Sequence, residues 1–258
     1  MSVKKLFAYR WAVAREFFSV YCPNVAIIRG ILEGKIYGKI LLNKSKDGCL
    51  LMTNSPFNFF AGHITDDFLM ESIALLANNN HSFLIHCHDS EFFEKKNLPT
   101  KRRVHLSCYP DEIKLIPEKL KDRLLSRYVL KKIDFKLFEQ CCWKNRLIEF
   151  YKTTESFLSQ SYGVVLLDGE QIVSEVYGTI GGNFLELGGY VHPLYRGNGS
   201  VPFIIAEIVN DFCLPNGLIV TASCDIDNFV SKQTVMRLGL KEDFEYAVLD
   251  IASVSGPA

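Results

Sequence analysis

With 258 residues, 48% of them apolar and 22% charged, the chain has the composition of a globular protein able to bury one large core or two smaller ones. Its 29 basic and 29 acidic residues cancel, so the bulk charge gives no attraction to nucleic acid or anionic lipid. No apolar run reaches the roughly eighteen residues that span a bilayer, and Arg10, Arg15 and Glu16 interrupt any signal-peptide core; eight dispersed cysteines without a CxxC pair suit reduced thiols in a cytoplasm.

Residues 1–20 carry patchy helical periodicity. From Asn24, three short strands are expected in VAIIRGIL, KIYGKILLN and CLLMTNSP, separated by turns at Glu33-Gly34 and Lys46-Asp47-Gly48. FNFFAG is a further aromatic segment, and DDFLMESIALLANN reads as a helix capped by Thr65 or Asp66 and stopped by the asparagines at 78–80. HSFLIHCH is a strand, EFFEKKN a short polar helix, and KRRVHLSCY a strand ended by Pro110. Residues 117–151 read as mainly helical. They bridge a smaller α/β domain at 1–140 to a second domain at 141–258.

The second half is ordered more sharply. SYGVVLLDGEQIVSEVYGTIGGNFLELGGYV makes three strands joined by hairpins at Asp168-Gly169 and Gly181-Gly182-Asn183. A helix over 201–213, a buried-type strand in GLIVTASC, a helix started by Asn228 and stopped at Gly239, and a strand in FEYAVLDI complete it. Residues 184–199, FLELGGYVHPLYRGNG, organise this half. A strand that empties through Arg196-Gly197-Asn198-Gly199 into a helix is suited to hold a phosphate, because the first helical amides have no partner of their own.

That order of elements, with these residues, resembles the GNAT superfamily of N-acetyltransferases, in a bacterial branch with an extra N-terminal domain. VHPLYRGNG sits where that family's pyrophosphate loop lies, with Arg196, Gly199 and Val201 on the three defined positions of Arg/Gln-x-x-Gly-x-Gly/Ala. NFVSKQTVMRLGL resembles the later family segment, and the likeness runs over about 155–250. The resemblance implies an α/β (α+β) fold: a mixed, mostly antiparallel twisted sheet with flanking helices. It also implies acetyl-CoA as cofactor, held by Tyr190, Val191, Arg196, Gly197, Asn198, Gly199, Ser200, Val201, Asn228 and Ser231. Val201 stands where Gly or Ala is usual, and Pro202 beside it brings no N–H.

Acyl transfer to an amine needs a proton acceptor, donors to the thioester oxygen and often an acid for the departing thiolate. Glu186, Gly188, Tyr190 and His192 share one strand face by period two. Glu186 is the first candidate base, as a carboxylate among apolar strand residues, ahead of His192 and then Glu175. Family tyrosines seven positions after the asparagine commonly act as the acid; here Val235 stands there, and Tyr190 and Tyr246 are the other tyrosines considered. His81, His86, His88 and Cys87 lack a fourth ligand at metal spacing, so packing is expected and no metal. Cys224 reads as a buried thiol, and Lys101-Arg102-Arg103 is too short for a nucleic-acid site. The expected function is acetyl transfer from acetyl-CoA to an unidentified small primary amine in a ternary complex. The alternative is a non-catalytic CoA-binding or regulatory protein on a degenerate fold. A homodimer is left open.

Overall fold

The computed structural model of the protein describes residues 4–6, 14–18, 21–114 and 116–254. Most of the helix expected at 1–20 lies outside these residues; Lys4–Leu6 is a strand, β1, paired antiparallel with the next. Val25–Leu32 then forms helix α1 rather than the expected strand. Seven of its eight residues are buried. An unbroken apolar run satisfies a buried helix as well as a buried strand, and tertiary packing overrides the β-branched composition. The packing that decides it is close: a Cβ on Gly181 would stand 2.0 Å from the Ala26 carbonyl oxygen and 2.3 Å from the Gly30 nitrogen. Only glycine lets the helix axis come so near the strand.

Two of the expected strands follow as β2 (Gly38–Leu42) and β3 (Gly48–Thr53), and the aromatic segment FNFFAG is a strand as well, β4 (Phe57–Gly62). Helix α2 (Asp66–Ala77) is capped by Thr65, which accepts from the Phe68 amide at 3.3 Å, and leads to β5 (Phe83–His86) and β6 (Thr100–Cys108). The bridge contains α3 (Glu118–Leu125), α4 (Phe135–Phe138), α5 (Lys144–Tyr151) and α6 (Thr154–Gln160), with an unforeseen strand β7 (Val129–Lys132). Beyond it lie the hairpin strands β8 (Ser161–Asp168), β9 (Gln171–Gly181) and β10 (Phe184–Val191). Helix α7 (Ser200–Ile208) runs on into a π-helical turn over Val209–Cys213. Strand β11 (Ile219–Asp225), α8 (Phe229–Arg237), β12 (Lys241–Asp250) and the short α9 (Ile251–Val254) end the described chain.

The twelve strands of the described residues form one mixed, mostly antiparallel sheet in the order β1-β2-β3-β4-β5-β12-β6-β11-β10-β9-β8-β7. The sheet passes straight through the boundary drawn at residue 140. Strand β6, from before it, lies between β11 and β12 from after it. Helix α7 packs one face through Phe203, Ile204 and Ile208 against Leu185, Val220 and Leu106. Helices α1, α4, α5 and α6 cover the other through a core that includes Tyr177, Tyr246 and Val165. This second face carries the polar residues of the site.

Candidate active site

Strands β10 and β11 pair in parallel only at Phe184, Leu185 and Glu186, against Ile219, Val220 and Thr221. Beyond that point β10 stays with β9 through Val191 and β11 stays with β6 through Asp225, so the two strands part. The His192 amide donates to the Val173 carbonyl of β9 at 2.9 Å. Alternation along an extended strand therefore turns the main-chain groups of Leu187, Gly189 and Val191 away from β9, toward the opening gap. The gap has Glu186 at its closed end and the glycine loop at its open end.

The loop is built to leave donors free. Gly197 and Gly199 hold φ of 76° and 85°, and α3 braces the turn: Arg123 Nη2 donates to the Asn198 carbonyl at 2.8 Å. Asn198 Oδ1 caps the Ser200 amide at 2.9 Å. The amides of Gly197, Asn198, Gly199 and Val201 make no hydrogen bond among the described residues. Three buried polar atoms beside them are also unpartnered there: Asn198 Nδ2, Ser200 Oγ and His192 Nδ1. Arg196 is exposed and forms no ion pair among the described residues. Val201 packs on the core under α7 and Phe203 is fully buried, so neither side chain is left standing free in the gap.

On the polar face, register pairs Glu186 with Thr179, Gly188 with Tyr177 and Tyr190 with Glu175. Both carboxylates are buried, at 6% exposure for Glu186 and 1% for Glu175. Glu175 accepts from the Cys142 and Trp143 amides, at 2.8 and 2.9 Å, where the chain enters α5. Burial raises its pKa and these amides pull it back. Glu186 Oε1 accepts from Asn24 Nδ2, a short contact, while Oε2 has no partner among the described residues. Ser223 Oγ of β11 lies 3.1 Å from His105 Nδ1. Burial lifts the Glu186 carboxyl to about 7, against the smaller pulls of Asn24, Ser223 and Arg103. Of the three candidate bases, Glu186 alone combines a near-neutral carboxyl with a free oxygen.

The Tyr177 ring lies across Gly188, where a Cβ would meet its hydroxyl at 2.5 Å. Tyr190 and His192 line a cleft of about 320 Å³ with Gln140, Cys142, Gln171, Ile172 and Glu175. Asn228 caps α8 by accepting from the Ser231 amide at 3.2 Å, and both residues are exposed. Val235 is buried in the α7-side core, and Tyr246 is 2% exposed, which keeps it from any substrate.

The remaining motifs dissolve into structure. Lys101, Arg102 and Arg103 are paired with Asp250, Glu94 with Glu245, and Asp225. His86 stacks on Phe92 at 4.3 Å and accepts the Asp89 amide, and no group of three or more metal-binding side chains occurs among the described residues. None of the eight cysteines is disulfide-bonded, and burial pushes the Cys49, Cys108 and Cys213 thiols up to about 12. Sequence reasoning missed Asn24, Arg103 and Arg123. Each acts from an element far away in the chain, and no local pattern marks it.

A family model described as GNAT acetyltransferase matches residues 20–249 of this chain. The chain belongs to that family. The match starts well before residue 140, so the N-terminal half is part of the family unit. A curated relative, the uncharacterized N-acetyltransferase YdfB of Bacillus subtilis (strain 168), is 29% identical over 157 residues, which cover 60% of this chain and 58% of the relative. The match thus spans less than two thirds of that relative's length. Among solved structures, a GCN5-related N-acetyltransferase-like protein from Streptococcus suis 89/1591 superposes with a TM-score of 0.74 at 23% identity, covering 94% of this chain and 98% of that one. A tandem GNAT protein from the clavulanic acid biosynthesis pathway gives 0.57 at 10% identity over 99% of both chains. These likenesses share the fold.

Proposed function

We propose that this GNAT protein moves an acetyl group from acetyl-CoA to the primary amine of a small acceptor, by direct attack with both bound. The observation that carries the proposal is the parting of β10 and β11 at a buried carboxyl, Glu186, with one free oxygen and a pKa near neutrality. The loop fits a diphosphate: its four free amides and two unpartnered buried donors, Asn198 Nδ2 and Ser200 Oγ, ask for acceptor oxygens. Arg196, exposed and unpaired, adds the complementary charge. Asn228 and Ser231 flank the gap from α8. Acetyl-CoA, when bound, supplies an acyl group activated as a thioester.

Glu186 takes one proton from the acceptor's ammonium group, through a single water because the carboxyl is buried. The freed nitrogen bonds to the acyl carbon as the carbon–sulfur bond breaks, and the amine's second proton leaves on the thiol. The Leu187, Gly189 and Val191 amides facing the gap are donors for the acyl oxygen, already oriented by strand pairing. Tyr190 and His192 border the cleft from which a small acceptor approaches. The eight cysteines without a disulfide suit work in a reducing cytoplasm.

Calorimetric titration with acetyl-CoA and with CoA, followed by free-thiol release across a panel of small amines, tests the proposal. Binding of acetyl-CoA with amine-dependent thiol release is expected. Binding without turnover on any amine would favour the non-catalytic alternative, for which buried Val235 in the usual acid position is the specific observation. No binding of either ligand would end both.

A further inference from the structure

Beside the gap, a chain of polar side chains runs from Arg103 to Glu186. Arg103 Nε donates to Tyr246 Oη at 3.2 Å, Tyr246 Oη donates to Asn24 Oδ1 at 3.5 Å, and Asn24 Nδ2 donates to Glu186 Oε1. Four elements supply the four residues: β6, β12, the entry to α1, and β10. Arg103 is itself fixed by Asp225 and by the Ser223 carbonyl at 3.1 Å. Asn24 is 4% exposed and holds φ 55° and ψ 38°, a left-handed conformation that asparagine tolerates better than other branched or bulky residues. Its backbone carbonyl also accepts the first bonds of α1, from Ile27 and Ile28. A buried helix start, 162 residues away in sequence, is thus spent on a carboxylate of the central strand.

We infer that Arg103, Tyr246 and Asn24 form a relay of positioning residues that orients the Glu186 carboxylate and sets its readiness to take a proton, making the N-terminal half a working part of the transfer site. Each donor in the chain is polarised by the one before it, and the sequence starts from a guanidinium. The direction matters: every bond delivers a proton toward Glu186 Oε1, which favours the ionised carboxylate and leaves Oε2 free for the incoming amine. Burial works the other way, and the relay is its main structural counterweight. Among the described residues, Thr179 and Tyr177 from β9 and Ser223 from β11 also face Glu186; Asp225 of β11 is held by Arg103. Of these, the Ser223 hydroxyl also favours the ionised carboxylate, by less than Asn24 does. The inference rests on the proposed role of Glu186.

Asn24→Gly is the informative variant, because it removes the carboxamide while glycine keeps the left-handed backbone. Two measurements separate the inference from the function it rests on. The first needs no turnover: carbon-13 NMR titration of the Glu186 carboxyl in glutamate-labelled protein, assigned with Glu186→Gln. The midpoint is expected to rise by about one pH unit in Asn24→Gly and by a few tenths in Tyr246→Phe. The second is the pH profile of kcat/KM. The acid limb should move up with the same increments, so that Asn24→Gly loses about tenfold below neutrality and recovers to within about threefold near pH 9. An unmoved carboxyl midpoint in Asn24→Gly overturns the relay. So does a loss of rate that is equal at every pH, the mark of a merely structural role. A shifted midpoint in a protein that transfers no acetyl group leaves the relay standing and ends the proposed reaction instead.

Discussion

Glu175 and Glu186 lie on neighbouring strands, on one face, both buried, and both with raised carboxyls. Their surroundings divide them. Glu175 meets two backbone amides at the entry to α5, one on each oxygen, so its acceptor capacity is used in tying the 140–143 segment to the sheet. Glu186 meets a single side-chain amide and keeps one oxygen open at the point where β10 and β11 part. Burial alone therefore does not make a base. What distinguishes the pair is the hydrogen-bond capacity left over after folding, and where on the sheet it is left.

The comparison breaks first on activity. Glu186→Gln should lower kcat/KM for acetyl transfer by roughly 10²–10⁴-fold while leaving the acetyl-CoA dissociation constant nearly unchanged, in thiol-release assays and calorimetry. A Glu175→Gln variant with an equal loss would erase the distinction.

The two variants should part in stability as well. The Glu186 carboxyl lies at about 7 in the folded protein against an ordinary 4.5, so the folded state binds the proton more tightly. The stability that proton brings is whole below the unfolded value and is lost as pH rises from 4.5 to about 7. Glu186→Gln removes the penalty, so denaturant unfolding at pH 8 should show the variant more stable than wild type by about 3 kcal/mol, with the difference vanishing near pH 4.5. Glu175→Gln should gain less than Glu186→Gln at the same pH, because the Cys142 and Trp143 amides offset part of the burial of that carboxylate.

The smallest expected effect sharpens the contrast between the carboxyl end and the loop end of the gap. Gly199→Ala puts a side chain at φ 85°, 3.1 Å from Leu120. It should weaken acetyl-CoA binding by about 1 kcal/mol with kcat little changed, by calorimetry and steady-state kinetics. A drop in kcat at unaltered affinity would place the loop in the chemistry and not in binding.

Much of the fold was legible where local chemistry is decisive. The Asp168-Gly169 and Gly181-Gly182 turns, the Asn228 cap and Gly239 at φ 114° follow from residues with one strong conformational use, and the structure has them in those uses. Thr65 caps α2 for the same reason. Legibility failed where two structures satisfy one pattern. VAIIRGIL suited a strand until its packing against β9 was known, and Val129–Lys132 sat unmarked within a helical stretch until β8 offered it an edge. In the site, Glu186 could be nominated from its alternation along β10. The lack of a partner on its second oxygen among the described residues could not, because that depends on distant segments folded around it.

The sequence by itself determined the order of elements in the second half, the glycine loop at the start of α7 and the face of β10 that bears Glu186. These rest on spacing and on residues whose backbone preferences are local. Only the tertiary structure decided that β6 lies between β11 and β12, that β10 and β11 separate after Glu186, and that Asn24 reaches the carboxylate from the far end of the chain. Those are consequences of strand pairing and burial between segments many residues apart, and such contacts leave no periodicity in the chain for a reader to find.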